Sequence, residues 1–485
     1  MDNFVDGLIG KKGFVLVVCF LTVVIGSCHF NEKAPGGNAA IPFPAGFDWP
    51  ANPALLQYQI NSRDLPALRR HGWYLWAGLN TPGPNGLPIW RSWPTTTQAF
   101  ARTTAPGEEP KRHQKSLQAH NDENNPINLK GPYYAVPSAV TQKYPYIKTT
   151  ADVKDGDVFQ FNGDIMIAGV VYNDDAYQWI RGTSNHIPLY QASELTRLLN
   201  AKNKNIPEFP ARSFVLKHMY WPVKGNGLTL LPIWNDQKQA SPTDYIGYEK
   251  WKYGVAVEVK DKLEPCKLRT GKTASMVYLH DVYEHDKTTR LGPIHMAAPV
   301  VPVTCFYYQK LDAAALAAMS VDDRIILDLA AYWNYGRLFQ PGDYVISIAM
   351  HVFTKEIKQW TMQSLWWHNR PNRGRFAEDR PDLPPSKAPG PWRNYLLTSA
   401  YGIEYPGPGQ AQLPVSYNPY IELGANHPII TNCRNCHTRS AWPKNTAFYI
   451  TPNGPGPLAP IPNDSPFFDG QMRLDFQWAI HDRAN

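Results

Sequence analysis

The sequence predicts a mainly β fold: a β-sandwich-like body with a few short helices, followed by an irregular C-terminal segment. Three observations point there. Short runs of β-branched and aromatic residues recur between turn residues, as strands do. Proline reaches 45 and glycine 34 of 485 residues while only 18% are charged, a balance that favours turns and extended segments over helical bundles. One run, Asp343 to Phe353, is largely apolar on both strand faces, as a strand inside a sheet has to be. Apolar residues at 43% are ample for a core, which excludes wholesale disorder. The formal charge of +7 is mild and scattered, so no nucleic-acid surface is read from it.

Taken in order, the chain divides into 1–27, 28–52, 53–150, 151–400 and 401–485. In the first stretch Lys11 and Lys12 precede an apolar run from Gly13 to Ile25, followed by Gly26-Ser27-Cys28. Positive, apolar and small in that order reads as a signal peptide whose apolar run is too short for a stable span. Ile25-Gly26-Ser27-Cys28 has the form of a bacterial lipobox. Cleavage before Cys28 and lipidation of its thiol are therefore expected, making the protein a periplasmic or outer-membrane-attached lipoprotein. An ordinary signal peptide cut nearby, or an uncleaved anchor, is the alternative, and Asp2 and Asp6 are unusual in such a leader. No other segment is apolar for long enough to cross a membrane.

Residues 28–52 are Gly/Pro-rich and read as a tether. Asn61 to Asn80 reads as a helix capped by Ser62, with Pro66 in its first turn and Leu65, Leu68, Leu75, Trp76 and Leu79 on one face. His71 lies at the edge of that face, where a histidine is first of all a flanking polar residue. Thr104 to Pro137 is polar and irregular, a long loop or disordered insertion in which His113 and His120 are solvated.

The body begins with Phe159 to Ile167, which carries a hairpin-type Asn162-Gly163. Phe214 to Trp221, Leu228 to Trp234, Val255 to Val259 and Met276 to Leu279 read as further strands. Ser193 to Ala201 and Asp312 to Tyr332 have helical patterns. In the strand Asp343 to Phe353, Ile346, Ile348, Met350 and Val352 share one face; Val345, Ser347, Ala349, His351 and Phe353 share the other. A buried His351 needs a partner, either a hydrogen-bonding group such as Glu356 or a metal. Trp360 to His368 supplies an aromatic cluster, suited to a core or to the wall of an apolar crevice. Arg370 to Trp392 is a charged, proline-rich connector.

Residues 401–485 contain Thr431-Asn432-Cys433-Arg434-Asn435-Cys436-His437, and Cys-x-x-Cys-His is the spacing for attachment of a c-type haem. Two thiols a turn apart can add to the two vinyl groups of one porphyrin, and the following histidine becomes the proximal ligand. A chance pentapeptide, a redox Cys-x-x-Cys or half of a zinc site are the alternatives. Structural zinc wants two close ligand pairs, and the sequence has no second one. A thioredoxin-like pair would open a helix in a βαβ unit, which is not seen here. One covalent haem c is thus expected, bound by Cys433 and Cys436 with His437 on iron. No long helix pattern flanks the motif, so the group is expected to be clamped between the C-terminal segment and the β body. Met472 to Ile480 reads as a terminal strand or helix. Of six cysteines, Cys19 leaves with the leader, Cys28 takes lipid and two take haem. That leaves Cys266 and Cys305, read as a disulfide in an oxidising compartment, with two buried thiols as the alternative.

Several segments together resemble the exported single-haem proteins of the bacterial cytochrome c family. They are Arg70-His71-Gly72-Trp73, His351-Val352-Phe353-Thr354-Lys355-Glu356-Ile357 running into Trp366-Trp367-His368, Gly390-Pro391-Trp392-Arg393-Asn394-Tyr395, Tyr417-Asn418-Pro419-Tyr420 and Asn432 to His437. The resemblance lies mainly in 340–437, and the insertion 104–137 has no counterpart. It implies a bound haem c and a periplasmic address, and no substrate. The expected role is that of a lipid-anchored monohaem cytochrome in one-electron transfer, with a dehydrogenase or another cytochrome as partner. A haem-dependent enzyme or sensor, peroxidase-like or gas-binding, is the alternative, and a haem-stabilised binding module is a third. Size exceeds the roughly 100 residues a simple carrier needs. Yet no paired carboxylates, nucleophile triad or nucleotide loop supports an independent enzyme. For the sixth iron position His351 leads, His71 is second and Met472 third. His368 and His481 have nothing evident to bury them, and an open iron is the remaining possibility.

Overall fold

The computed structural model describes residues 47, 49–84, 86–101, 136–148, 167–235, 251, 253–278, 293–384, 386–387, 390–402, 415–422, 432–443, 461–462 and 465–485. The leader, Cys28, most of the tether and of the polar insertion, and the Asn162-Gly163 hairpin lie outside them. Among the described residues no helix is long and apolar enough to cross a membrane.

The body is β-rich. The chain lays down β1 (Ile167–Tyr172) and β2 (Phe214–Val223), then β3 (Gly227–Pro232), β4 (Gly254–Val259), β5 (Thr273–Tyr278) and β6 (Ile294–Pro302), then β7 (Tyr308–Lys310), β8 (Tyr344–Thr354), β9 (Thr361–Trp367) and β10 (Tyr395–Tyr401). The first two and last four form one sheet in the order β1-β2-β8-β9-β10, with β7 also on β8; the middle four form a second, β3-β4-β6-β5. Among the described strands of these two sheets, β4 and β6 alone run parallel. Within the first sheet β8 lies between β2 and β9, with Lys217 and Ser364 as the register neighbours of His351.

Every residue of β8 is buried, because both faces of its sheet are covered. On one face Ile346, Ile348, Met350 and Val352 join Leu365 and Trp367, and reach Leu230, Val255, Val257 and Val300 of the second sheet in a single apolar cluster. On the other face Phe353, Val215, Met362 and Ala400 meet Cys433, Met472, Leu474 and Ile480 of the C-terminal segment. The pleat sets which face each residue takes, although Ala349 and Trp366 on the second face still pack into the first cluster. One sheet is therefore the wall between the body and the C-terminal segment.

One expected helix starts late and another is broken. The helix expected over Asn61 to Asn80 is α2 (Leu65–Asn80), and a helix not expected from the sequence, α1 (Pro53–Asn61), ends where it was to begin. Pro66 can occupy a first turn but not an interior, so a new start is needed, and the Asp64 carboxylate caps it by accepting from Ala67 N. Ser62 instead closes α1, its hydroxyl donating to Tyr58 O. Leu68, Leu75, Trp76 and Leu79 are buried as expected, whereas Leu65 is exposed. Short turns α3 (Thr96–Ala99) and α4 (Ser138–Lys143), and helices α5 (Asp174–Arg181) and α6 (Ala192–Asn200), follow. The expected helix from Asp312 is two, α7 (Ala313–Ala318) and α8 (Val321–Tyr335), because Asp312 and Ser320 each cap a separate start. Cys266 and Cys305 are joined by a disulfide. The Cys305 carbonyl accepts from Trp367 Nε1 and Asn394 Nδ2, which fixes the bridge to the end of β9 and the start of β10.

Candidate functional site

The motif forms α9 (Cys433–His437), a single helical turn. The Asn432 side chain accepts from Arg434 N and Asn435 N, satisfying donors that a helix start leaves open. Cys433 N donates to Ser416 O at 3.1 Å, which docks the turn on the strand-like segment beside β10. One turn brings positions i and i+3 to the same side, so both thiols face one way. Cys433 is buried, Cys436 half-buried, and they are not bonded to each other. Burial and the nearby Glu422 carboxylate push both thiols up, Cys436 to about 11. A disulfide-exchange pair works through a depressed thiol, and these thiols are shifted the other way.

His437 Nδ1 lies 2.8 Å from the Phe476 carbonyl. A carbonyl only accepts, so Nδ1 carries the proton and Nε2 holds the lone pair. Burial brings the ring down to about 3, with the carbonyl opposing that shift. The imidazole is therefore neutral, in the tautomer that a metal-ligating histidine needs.

The accepting carbonyl is held in an unusual way. Asp475 and Phe476 both have left-handed backbones, φ 46° and 67°, a region that a bulky side chain rarely visits. Asp475 is tied on both sides: Oδ2 accepts from Phe209 N at 2.9 Å, and Oδ1 lies 2.7 Å from Lys355 Nζ just past the end of β8. Lys355 and Asp475 are both buried. Burial, opposed by Lys355, leaves the Asp475 carboxyl above its ordinary value. The segment before them pairs as β12 (Met472–Arg473) with β11 (Ala441–Trp442), and Leu474 N donates to Ser440 O. After them comes α10 (Trp478–Arg483), whose Trp478 Nε1 donates to Cys436 O at 3.3 Å.

Facing this turn is the sheet. The Phe353 ring meets His437 edge-on at 4.5 Å between centroids, and His351 stacks on Phe353 at 5.7 Å. His351 Nε2 lies 3.3 Å from Glu422 Oε1, yet the pair is not aligned as a hydrogen bond and Nε2 is buried without one. The expected partner Glu356 is elsewhere. It takes His71 Nε2 at 3.3 Å and the Thr354 hydroxyl, because two residues past a strand end the chain has turned away from the face His351 occupies.

The structure thus gathers Cys433, Cys436, His437 and His351, with Met472 fully buried in the same cluster as Cys433. It does not bring His71 to them: Nδ1 is 2.7 Å from Tyr401 Oη, and Nε2 is on Glu356. His368 and His481 are both buried, contrary to expectation. His368 Nδ1 accepts from Arg370 N. His481 packs edge-on against Trp478, with Nδ1 2.7 Å from Asp482. Sequence reasoning missed Glu422, Phe353 as the plate between two imidazoles, and the Lys355–Asp475 pair; each depends on contacts between distant parts of the chain.

Among the described residues no cluster of three or more His, Cys, Asp or Glu is placed to hold a metal ion. A porphyrin asks for less from the protein: two thiols and one or two axial side chains. The unbonded thiols on one turn, the tautomer fixed at His437 and the buried lone His351 nitrogen fit that requirement. Set against known proteins, the chain matches no family model, no curated protein and no solved structure.

Proposed function

We propose that this protein is an exported monohaem c-type cytochrome that passes single electrons, tethered to a membrane by lipid on Cys28, in keeping with its resemblance to the bacterial cytochrome c family. The observation that carries the reading is the His437 Nδ1 bond to the Phe476 carbonyl beside two unbonded thiols on one turn. The haem would supply reversible one-electron chemistry at its iron. Cys433 and Cys436 would anchor it, and His437 would present Nε2 to the iron. Phe353, Met362 and Met472 would exclude water on the sheet side, and His351 would be the side chain to offer a sixth ligand. A dehydrogenase or another cytochrome is the proposed partner.

The test is the denatured protein, expressed with cytochrome c maturation. A covalently retained haem mass that disappears in Cys433→Ser/Cys436→Ser supports the reading, and haem-free wild type overturns it. A second reading, haem-dependent catalysis or gas sensing at an open iron, is favoured by one observation. The Glu422 carboxylate beside His351 Nε2 is the arrangement an acid–base pair would use. Carbon monoxide separates the two: a reduced spectrum that ignores it means a filled sixth position and electron transfer.

A further inference from the structure

We propose that Lys355 and Asp475 are positioning residues that set how strongly His437 donates to iron, an inference that rests on the function proposed above. The path is short. Lys355 is fixed to the body, its backbone N donating to Ser213 O and its Nζ to Lys358 O at 2.6 Å. Its ammonium holds Asp475 at 2.7 Å, and Phe209 N holds the other carboxylate oxygen at 2.9 Å. Those two contacts pin a residue at φ 46° followed by one at φ 67°, and the second of these aims its carbonyl at His437 Nδ1.

Left to itself, a Phe in that region relaxes towards negative φ. Relaxation would swing the carbonyl away and leave Nδ1–H without its acceptor. A histidine that loses this outer partner is a less basic ligand, and a weaker donor disfavours the ferric state, so the potential rises. The buried ion pair thus ties the body, through one peptide group, to the electronics of the proposed cofactor.

The prediction differs in sign from simple electrostatics. If the two residues acted only as charges near iron, removing Asp475 would raise the potential and removing Lys355 would lower it. If they position the carbonyl, Asp475→Asn and Lys355→Met both raise it, by roughly tenfold in the ferrous-to-ferric ratio at fixed potential, about 59 mV for one electron. Lys355→Arg, which keeps the pair, returns the potential to near wild type. Mass spectrometry on each variant first confirms that haem is attached. Opposite shifts, or none, in haem-loaded variants overturn the inference while leaving the cytochrome reading intact. Wild type without haem overturns both. Should Lys355→Met fail to fold, Lys355→Gln supplies a polar side chain one atom shorter and without the charge, and gives the same reading.

Discussion

His351 and His71 look alike as candidates in the sequence, and their surroundings separate them. His351 is buried on the sheet face that meets the Cys-x-x-Cys-His turn, its Nε2 making no hydrogen bond though Glu422 Oε1 lies 3.3 Å away. His71 has both ring nitrogens taken, by Tyr401 and Glu356. On the proposed cytochrome, His351→Ala is therefore expected to convert the ferric haem from low to high spin, read by absorption and electron paramagnetic resonance. His71→Ala is expected to leave the spectrum alone. It takes the imidazole from the Glu356 carboxylate, whose side chain has no exposure and keeps only the Thr354 hydroxyl and Ala51 N, and is expected to lower stability by about 2–3 kcal/mol in denaturant titrations. A spin change in His71→Ala and none in His351→Ala would reverse the assignment. Alternation along Asp343–Phe353 made the burial of His351 legible, because a period of two leaves little choice of face. Its neighbour Glu422 was not legible, since no local pattern reports which distant loop crosses a strand.

At the scale of elements, strands were easier to read than helix boundaries. The runs around Phe214, Leu228, Val255 and Asp343 all form strands, because β-branched and aromatic residues bounded by turns specify them locally. The helix expected from Asn61 starts only after Asp64, and the one from Asp312 splits at Ser320; each of these residues fits the helical pattern but caps better than it continues, and a cap costs nothing in periodicity and so leaves it unchanged. The turn α9 is too short to have any periodicity, and only its chemistry marked it. The disulfide was legible by elimination, and it has a measurable share in stability. Its cysteines are 39 residues apart, and closing such a loop contributes roughly 3–4 kcal/mol in the chain-entropy model. Cys266→Ala/Cys305→Ala is expected to lose about that much in chemical denaturation. A loss under about 1 kcal/mol would mean the Trp367 and Asn394 bonds to the Cys305 carbonyl already fix the corner without it.

Over the whole molecule, buried neutral histidines tie stability to pH. Burial, aided by Arg91, brings His218 down to about 3; burial, aided by Arg370, brings His368 down to about 4. Both fall below the ordinary 6.5, so the unfolded chain takes up protons first as pH falls. Their contribution is complete above 6.5 and is lost between 6.5 and about 4 for His368, and down to about 3 for His218. Each costs roughly 1 kcal/mol per pH unit across its window. His218→Phe keeps a ring against Trp90 and Tyr220 and is expected to flatten the stability profile below pH 6. An unchanged slope would place the acid sensitivity elsewhere, with Glu356 the next carboxylate to consider. Its pKa lies below 4.5 despite burial, held there by His71 and Thr354, so its support is present above 4.5 and vanishes as pH drops through the lowered value.

The sheet that separates the two cores has a further consequence. The motif rests on β8, an eleven-residue strand that is buried throughout and hydrogen-bonded on both sides. In most domains such a strand is the last part to open. If the proposed haem is mounted there, the groups around it would stay where they are as it gains or loses an electron. Little nuclear rearrangement would then accompany each transfer, and the rate would be governed by how closely a partner approaches and not by motion of the protein that holds the group.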